Sequence, residues 1–375
     1  MIYLDYSATT PVSYEVLDTI SKVTKEFIGN ANSIHSLGKK SADLLESATK
    51  QIADIFGVNS NEIVYTSGAT EANNMALIGV AMARHKKGKH IIVSKLEHPS
   101  IYAICDYLKS IGFIIDYVNN DQEGLIDFDD LKEKVREDTI LVSICAVNSE
   151  TGVRQPLKMI RQIIKKENIA TIFHSDMTQA IGKVPVNFHD VDLASMSAHK
   201  IFGPKGIGFL YKSSMVKITP LIYGSGKSND LKPGTPPLPL IAALSKAVRL
   251  ACNDLEKRER FVGLLNDKIV NVMEKYPNIK INKTKYSIPH ILNISIMNVM
   301  PETMIHALEK YEIYVSTNTA CASGEVSHSV AAIYDDVKRS KHTIRISLSY
   351  VTTTEEVNKF LSIFKEVYEK LSMVR

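Results

Sequence analysis

Glu62-Ile63-Val64-Tyr65-Thr66-Ser67-Gly68-Ala69-Thr70-Glu71-Ala72-Asn73-Asn74 reads as a short β-rich run, a turn of small residues and the start of a helix. The same succession recurs through the first two thirds of the chain. Further β-rich runs at residues 90–94, 139–144 and 171–174 alternate with segments 71–84 and 156–167, whose apolar residues fall at helical spacing. Strands separated by helices argue for an α/β fold whose mainly parallel sheet is covered by helices. A Gly/Pro-rich stretch over 224–237 interrupts the alternation. The spacing then predicts one long helix over about 240–272, linking to a C-terminal domain, and a closing helix over 354–371.

A chain of 375 residues exceeds one ordinary core, so two domains are expected. With 45% hydrophobic and 23% charged residues it is ordinary for a soluble protein, and no apolar run approaches the roughly 20 residues of a membrane span. The first residues, Met1-Ile2-Tyr3-Leu4-Asp5-Tyr6, show no basic start followed by a long apolar core, so a cytoplasmic location is expected. Lys and Arg total 45 against 41 Asp and Glu, a net charge of +4 without a basic block, which gives no indication of nucleic-acid binding. Cys105, Cys145, Cys252 and Cys321 are scattered and form no CxxC pair, so no metal site and no disulfide framework is expected.

Four local patterns carry chemistry. Ser195-Met196-Ser197-Ala198-His199-Lys200-Ile201-Phe202-Gly203-Pro204-Lys205-Gly206 sets a lysine between a strand end and a Gly-Pro turn, a place from which an amine of lowered pKa can form a Schiff base. Taken alone, such a lysine is more often a solvated side chain. Asp176 closes the apolar run 171–173, where it can pair with a pyridinium nitrogen or equally cap the next segment. The turn after Thr66 offers backbone N–H groups and hydroxyls at a helix start, a setting for phosphate, without the Gly-Lys-Ser/Thr of a Walker loop. His98 follows the run 90–94 and so belongs at the same carboxyl edge of the sheet, where it can stack on a ring or carry a proton.

Taken in order, Tyr3-Leu4-Asp5-Tyr6-Ser7-Ala8-Thr9-Thr10-Pro11, the 66–74 motif, Glu97-His98, Asp176-x-x-Gln179, Ser197-Ala198-His199-Lys200 and Gly203-Pro204-Lys205-Gly206 resemble the NifS/IscS-like cysteine desulfurases of the class V aminotransferase group. The resemblance runs from residue 3 to about residue 365. It implies the PLP fold type I: a large domain, residues 13–251, with a mainly parallel seven-stranded sheet, and a smaller α+β C-terminal domain built from residues 1–12 and 252–375. It implies pyridoxal 5′-phosphate as cofactor, carried on Lys200, with Asp176 at the pyridine nitrogen, Gln179 and Ser149 at the ring oxygen and His98 on the ring face. Ala69, Thr70, Ser197 and His199 match phosphate-holding positions. Thr235 matches a threonine that reaches the phosphate of a neighbouring subunit, so a homodimer is implied. Arg345 in Ile344-Arg345-Ile346-Ser347-Leu348 matches the arginine that forks the substrate carboxylate. Cys321, among small polar residues, matches the nucleophilic cysteine.

The implied reaction converts L-cysteine to L-alanine, with Lys200 moving the α-proton, His98 accepting a proton and Cys321 taking the sulfur as a persulfide for a protein acceptor, either an iron–sulfur scaffold or a tRNA- or cofactor-thiolating protein. The chain departs from the family pattern at Ser149, where an asparagine is usual, at Lys232-Pro233, at Asn318-Thr319 and at Ser349-Tyr350. Two other readings remain open: a degenerate PLP-fold scaffold protein, and another class V lyase or aminotransferase, such as a selenocysteine lyase, that does not use Cys321.

Overall fold

The computed structural model describes residues 1–225, 230–317 and 326–373. Its strands are β1 (Ile2–Tyr3), β2 (Ile63–Thr66), β3 (His90–Ser94), β4 (Ile114–Val118), β5 (Thr139–Ser143), β6 (Ile172–Asp176), β7 (Leu193–Ser197), β8 (Gly208–Lys212), β9 (Ile279–Ile281), β10 (Ile291–Ile296), β11 (Ile313–Tyr314) and β12 (Thr343–Ser347). Seven of them form one sheet in the order β2-β8-β7-β6-β5-β3-β4, in which β8 alone runs against the rest. This is the mainly parallel seven-stranded α/β sheet expected from the sequence.

Short continuous apolar runs such as Ile91-Ile92-Val93 and Ile140-Leu141-Val142 replace simple alternation in β3 and β5 because both faces of the sheet are covered. Successive side chains point to opposite faces, so Ile92, Val142 and Phe173 pack with Ile52, Phe56 and Ile160 on one side. Ile91, Val93, Leu141 and Ile172 pack with Met75, Leu77, Ile101 and Leu108 on the other. Phe173 and Phe209 are fully buried, and truncating either to alanine would cost about 3–5 kcal/mol. A second, three-stranded antiparallel sheet, β12-β10-β9, packs under the helices Leu255–Met273 and Thr354–Met373. Ile2 and Leu4 from the start of the chain join that cluster, with β1 paired to β11.

The helix expected over 240–272 is two helices, Leu238–Ala251 and Leu255–Met273. Between them Asp254 adopts a left-handed conformation (φ 54°), which the short polar side chain of Asp tolerates better than most. Arg258 then donates from Nη1 to the carbonyl of Leu250 (2.8 Å), satisfying an end that the first helix leaves open. The apolar periodicity runs through the break, so spacing alone did not mark it.

Candidate active site

The carboxyl ends of β2, β3, β5, β6 and β7, with the start of β8, open on one cavity of about 400 Å³. Ligands of open α/β sheets bind at this edge because each strand there delivers a short loop. Ala69, Thr70, His98, Ser149, Asp176, Gln179, Ser197, His199, Lys200 and Arg345 all line it. Thr235 does not. It lies with Lys232 in a neighbouring groove that shares Ser67 and Gly206 with the cavity rim. Cys321 lies outside the described residues.

The floor is set by β6 and the helix Ala69–Arg84. The Asp176 carboxylate accepts from Asn73 Nδ2 (2.9 Å) and from the Thr178 amide (2.9 Å). Asn73 is fully buried and its Oδ1 has no partner among the described residues. The only sign of Asn73 in the sequence is a polar residue on the otherwise apolar inner face of that helix.

Lys200 sits in the 3-10 turn that follows β7, and its Nζ donates to the carbonyls of Ser7 (2.7 Å) and Ala8 (2.6 Å). Burial, together with the Arg345 charge, lowers its pKa to about 8, which suits an amine that must be neutral to act as a nucleophile or base. Beside it His199 contacts Thr9 Oγ1 (3.1 Å), and burial and Lys200 bring its pKa to about 4. Gln179 donates from Nε2 to the Ser7 carbonyl (2.9 Å) and accepts at Oε1 from the buried Lys183 (2.5 Å).

His98 caps the helix Pro99–Ser110: its Nδ1 accepts from the Ser100 amide (3.1 Å), which leaves the proton of the neutral ring on Nε2. Burial holds its pKa below the usual histidine value. Directly before it, the carboxyl of Glu97 is buried, accepts from the Cys145 amide (2.6 Å) and leaves Oε2 without a partner among the described residues. Burial raises Glu97 to about 8, so at neutral pH it is a protonated acid. Cys145 itself lines the cavity, but burial raises its thiol well above the ordinary value, which makes it a poor nucleophile.

Arg345 reaches the cavity from the second sheet. Its guanidinium donates from Nη1 to the Ser149 carbonyl (3.0 Å) and pairs from Nη2 with Asp5 (3.0 Å), while Nε is buried without a partner among the described residues. A buried charged donor left unmet costs about 1–3 kcal/mol or more, so this atom is poised for an anion. Ser149 meets Arg345 through its backbone carbonyl, a contact that does not depend on the side chain at this position.

The same wall can hold a phosphate. Gly68 has φ 153°, and a Cβ there would lie 3.2 Å from Ser197 Oγ, while a Cβ on Gly208 would come within 2.9 Å of the Gly68 Cα. Only glycines permit this approach, which leaves the N-terminus of the helix Ala69–Arg84 facing the cavity. An anion seat at one end, an acid on the floor and an amine of lowered pKa between them fit pyridoxal phosphate.

The chain matches the family described as aminotransferase class-V over residues 2–360. It is 39% identical to the cysteine desulfurase IscS of Dictyoglomus turgidum across 100% of this chain and 96% of that protein. Among solved structures it resembles a NifS-like protein with a TM-score of 0.93 at 36% identity, covering 100% of both chains. It also resembles SspA in complex with cysteine, with a TM-score of 0.81 at 30% identity over 94% of this chain and 100% of that one. These findings bear out the fold and the cofactor dependence expected from the sequence: the chain belongs to the pyridoxal-phosphate-dependent class V aminotransferase family, within its NifS/IscS-like cysteine desulfurases.

Proposed function

We propose that the cavity converts L-cysteine to L-alanine, with Lys200, Asp176, His98 and Arg345 as its working residues and Cys321 as the sulfur acceptor. The observation that carries this reading is the convergence of those first four side chains on one cavity from two separate sheets.

Pyridoxal phosphate bound there supplies an electron sink for charge that develops at the substrate Cα. Ala69, Thr70, Ser197 and His199 would hold its phosphate, Asp176 would keep a proton on its ring nitrogen, and Gln179, Ser149 and His98 would hold its ring. Arg345 binds the substrate carboxylate. Lys200, neutral above about pH 8, takes the proton from Cα. The Cys321 thiolate then attacks the substrate sulfur: the new S–S bond forms as the Cβ–S bond breaks, and the bonding pair passes to the carbon skeleton. That skeleton is protonated and leaves as alanine, while Cys321 keeps the sulfur as a persulfide. His98 accepts the proton of the incoming substrate thiol at Nδ1, the basic nitrogen of its neutral ring, by giving up the contact from the Ser100 amide.

We further propose a homodimer in which Thr235 serves the neighbouring subunit's phosphate. Its placement beside the cavity rather than in it supports this, as do the exposed Tyr14, Leu17, Ile28 and Ile34. Residues 13–251 and residues 1–12 with 252–375 are proposed as the two domains, supported by the separate packing of Ile2 and Leu4 with residues beyond Val262. A protein that carries sulfur to iron–sulfur clusters or to thiolated tRNA or cofactors would accept the persulfide, and a cytoplasmic setting suits that traffic. Among the described residues no helix is long and apolar enough to cross a membrane. The direct test is alanine release from L-cysteine by the cofactor-loaded protein with a thiol acceptor present. Release in step with sulfide supports the reading, and absence of alanine contradicts it.

A further inference from the structure

Asp5 belongs to none of the roles above, yet it holds the group on which substrate binding depends. Its backbone is fixed against the strand that carries that group: Asp5 forms a parallel bridge with Ser347, and the Ser347 amide donates to the Leu4 carbonyl (2.7 Å). Arg345 is two residues before Ser347 and so projects on the same face of β12, which makes Asp5 and Arg345 diagonal cross-strand neighbours. The pair closes at 3.0 Å, with the arginine only 2% and the aspartate 19% exposed. Ser149 holds a second guanidinium nitrogen, which leaves Nε as the buried donor without a partner among the described residues. The chain just beyond Asp5 carries on the same work, since the Ser7 and Ala8 carbonyls accept from Lys200 and the Ser7 carbonyl accepts from Gln179.

We propose that Asp5 is a positioning residue for the substrate: its carboxylate anchors one side of the Arg345 guanidinium, so that Nε and its edge are presented to the α-carboxylate of an amino acid. The inference rests on the reading of Arg345 as the carboxylate site and adds what keeps that arginine oriented. An unanchored arginine would have to be ordered by each incoming substrate, at a cost in affinity. The Asp5 carboxylate bonds Arg345, whereas Lys200 is held by the Ser7 and Ala8 carbonyls, so loss of the Asp5 side chain should weaken binding of the carboxylate and leave the chemical steps in place.

The test uses the cofactor-loaded protein and compares Asp5→Ala, the milder Asp5→Asn and Arg345→Lys with wild type. Three quantities are read: the KM and kcat for L-cysteine, the inhibition constant of L-alanine, and that of ethylamine, the same amine without a carboxylate. Asp5→Ala should raise the KM for L-cysteine and the L-alanine constant about tenfold, with kcat at saturation and the ethylamine constant within about twofold. Asp5→Asn, whose amide oxygen can still accept from Nη2, should show the same selectivity at about threefold and keeps the test open if the alanine variant does not fold. Equal weakening of L-alanine and ethylamine, or no weakening of either, would overturn the proposal. If Arg345→Lys discriminates the two ligands while neither Asp5 variant does, Asp5 alone is misassigned. If Arg345→Lys does not discriminate them either, the carboxylate reading of Arg345 falls with it.

Discussion

The two walls of the cavity are built in different ways. On the side of the seven-stranded sheet each group sits within four residues of a strand end: Asp176 is the last residue of β6, Lys200 comes three after Ser197, Ala69 three after Thr66 and His98 four after Ser94. On the opposite side Arg345 comes from the middle of β12 in another sheet, and its partners Asp5 and Ser149 are 340 and 196 residues away in sequence. The first wall is therefore made by local strand-to-loop geometry that the large sheet repeats. The second exists only once the two sheets have packed and the first residues of the chain have been laid along β12. If the walls divide the labour as they divide the construction, damage to the first should remove cofactor chemistry and damage to the second should remove substrate binding.

Three substitutions sharpen or break that contrast. The largest effect is expected at Lys200. Lys200→Ala removes the amine of the first wall, so the borohydride-reducible cofactor linkage and all turnover should vanish; a reducible linkage found at another lysine would end the assignment. Arg345→Lys comes next. A single ammonium cannot reproduce a fork of charged hydrogen bonds, and kcat/KM for L-cysteine should fall about 30- to 100-fold, while the reducible linkage at Lys200 persists. Loss of that linkage in Arg345→Lys would show that the walls are not separable.

The smallest effect concerns Glu97, which supports the first wall from behind His98. Its carboxyl titrates at about 8 in the folded chain against an ordinary 4.5, so between those values the folded state holds a proton that the unfolded chain has lost. Stability therefore falls as pH rises through this window, by at most about 1.4 kcal/mol per pH unit. Glu97→Gln keeps an acceptor for the Cys145 amide and removes the titration. Chemical unfolding at pH 5.5 and 7.5 should show the wild type losing about 1–2 kcal/mol relative to the variant between the two. Parallel pH profiles would mean that Glu97 is ionised, or hydrated, in the folded protein.

The same contrast governs what the sequence disclosed. The first wall was legible because its residues stand beside their strands in short motifs, and the alternation of apolar runs with helical spacing foretold the sheet that aligns them. Arg345 was found only through its resemblance to a family position, since an arginine flanked by isoleucines does not say what lies opposite. Asp5, Asn73, Glu97 and Lys183 were given no task. Each derives its environment from packing, as when Asn73 meets Asp176 across 103 residues, and no local pattern encodes such a meeting. The break at Asp254 escaped for the complementary reason: Leu244, Val248 and then Val262 and Leu265 are apolar on either side of it, although they serve two different cores. Thr235 stands apart from the cavity in a neighbouring groove, and the task proposed for it needs a second copy of the chain.

The central claim is that sulfur leaves L-cysteine for Cys321. It is tested most directly by mass spectrometry of the cofactor-loaded wild type and Cys321→Ser after incubation with L-cysteine in the absence of reductant, with alanine measured alongside. A serine hydroxyl is not ionised near neutral pH, whereas a thiol near its reference pKa of about 8.5 is partly so. Wild type should gain one sulfur on the peptide containing Cys321. Cys321→Ser should bind cofactor and L-cysteine but gain no sulfur and release almost no alanine. A sulfur adduct that persists in Cys321→Ser with undiminished alanine, whether on Cys105, Cys145 or Cys252, would contradict the account.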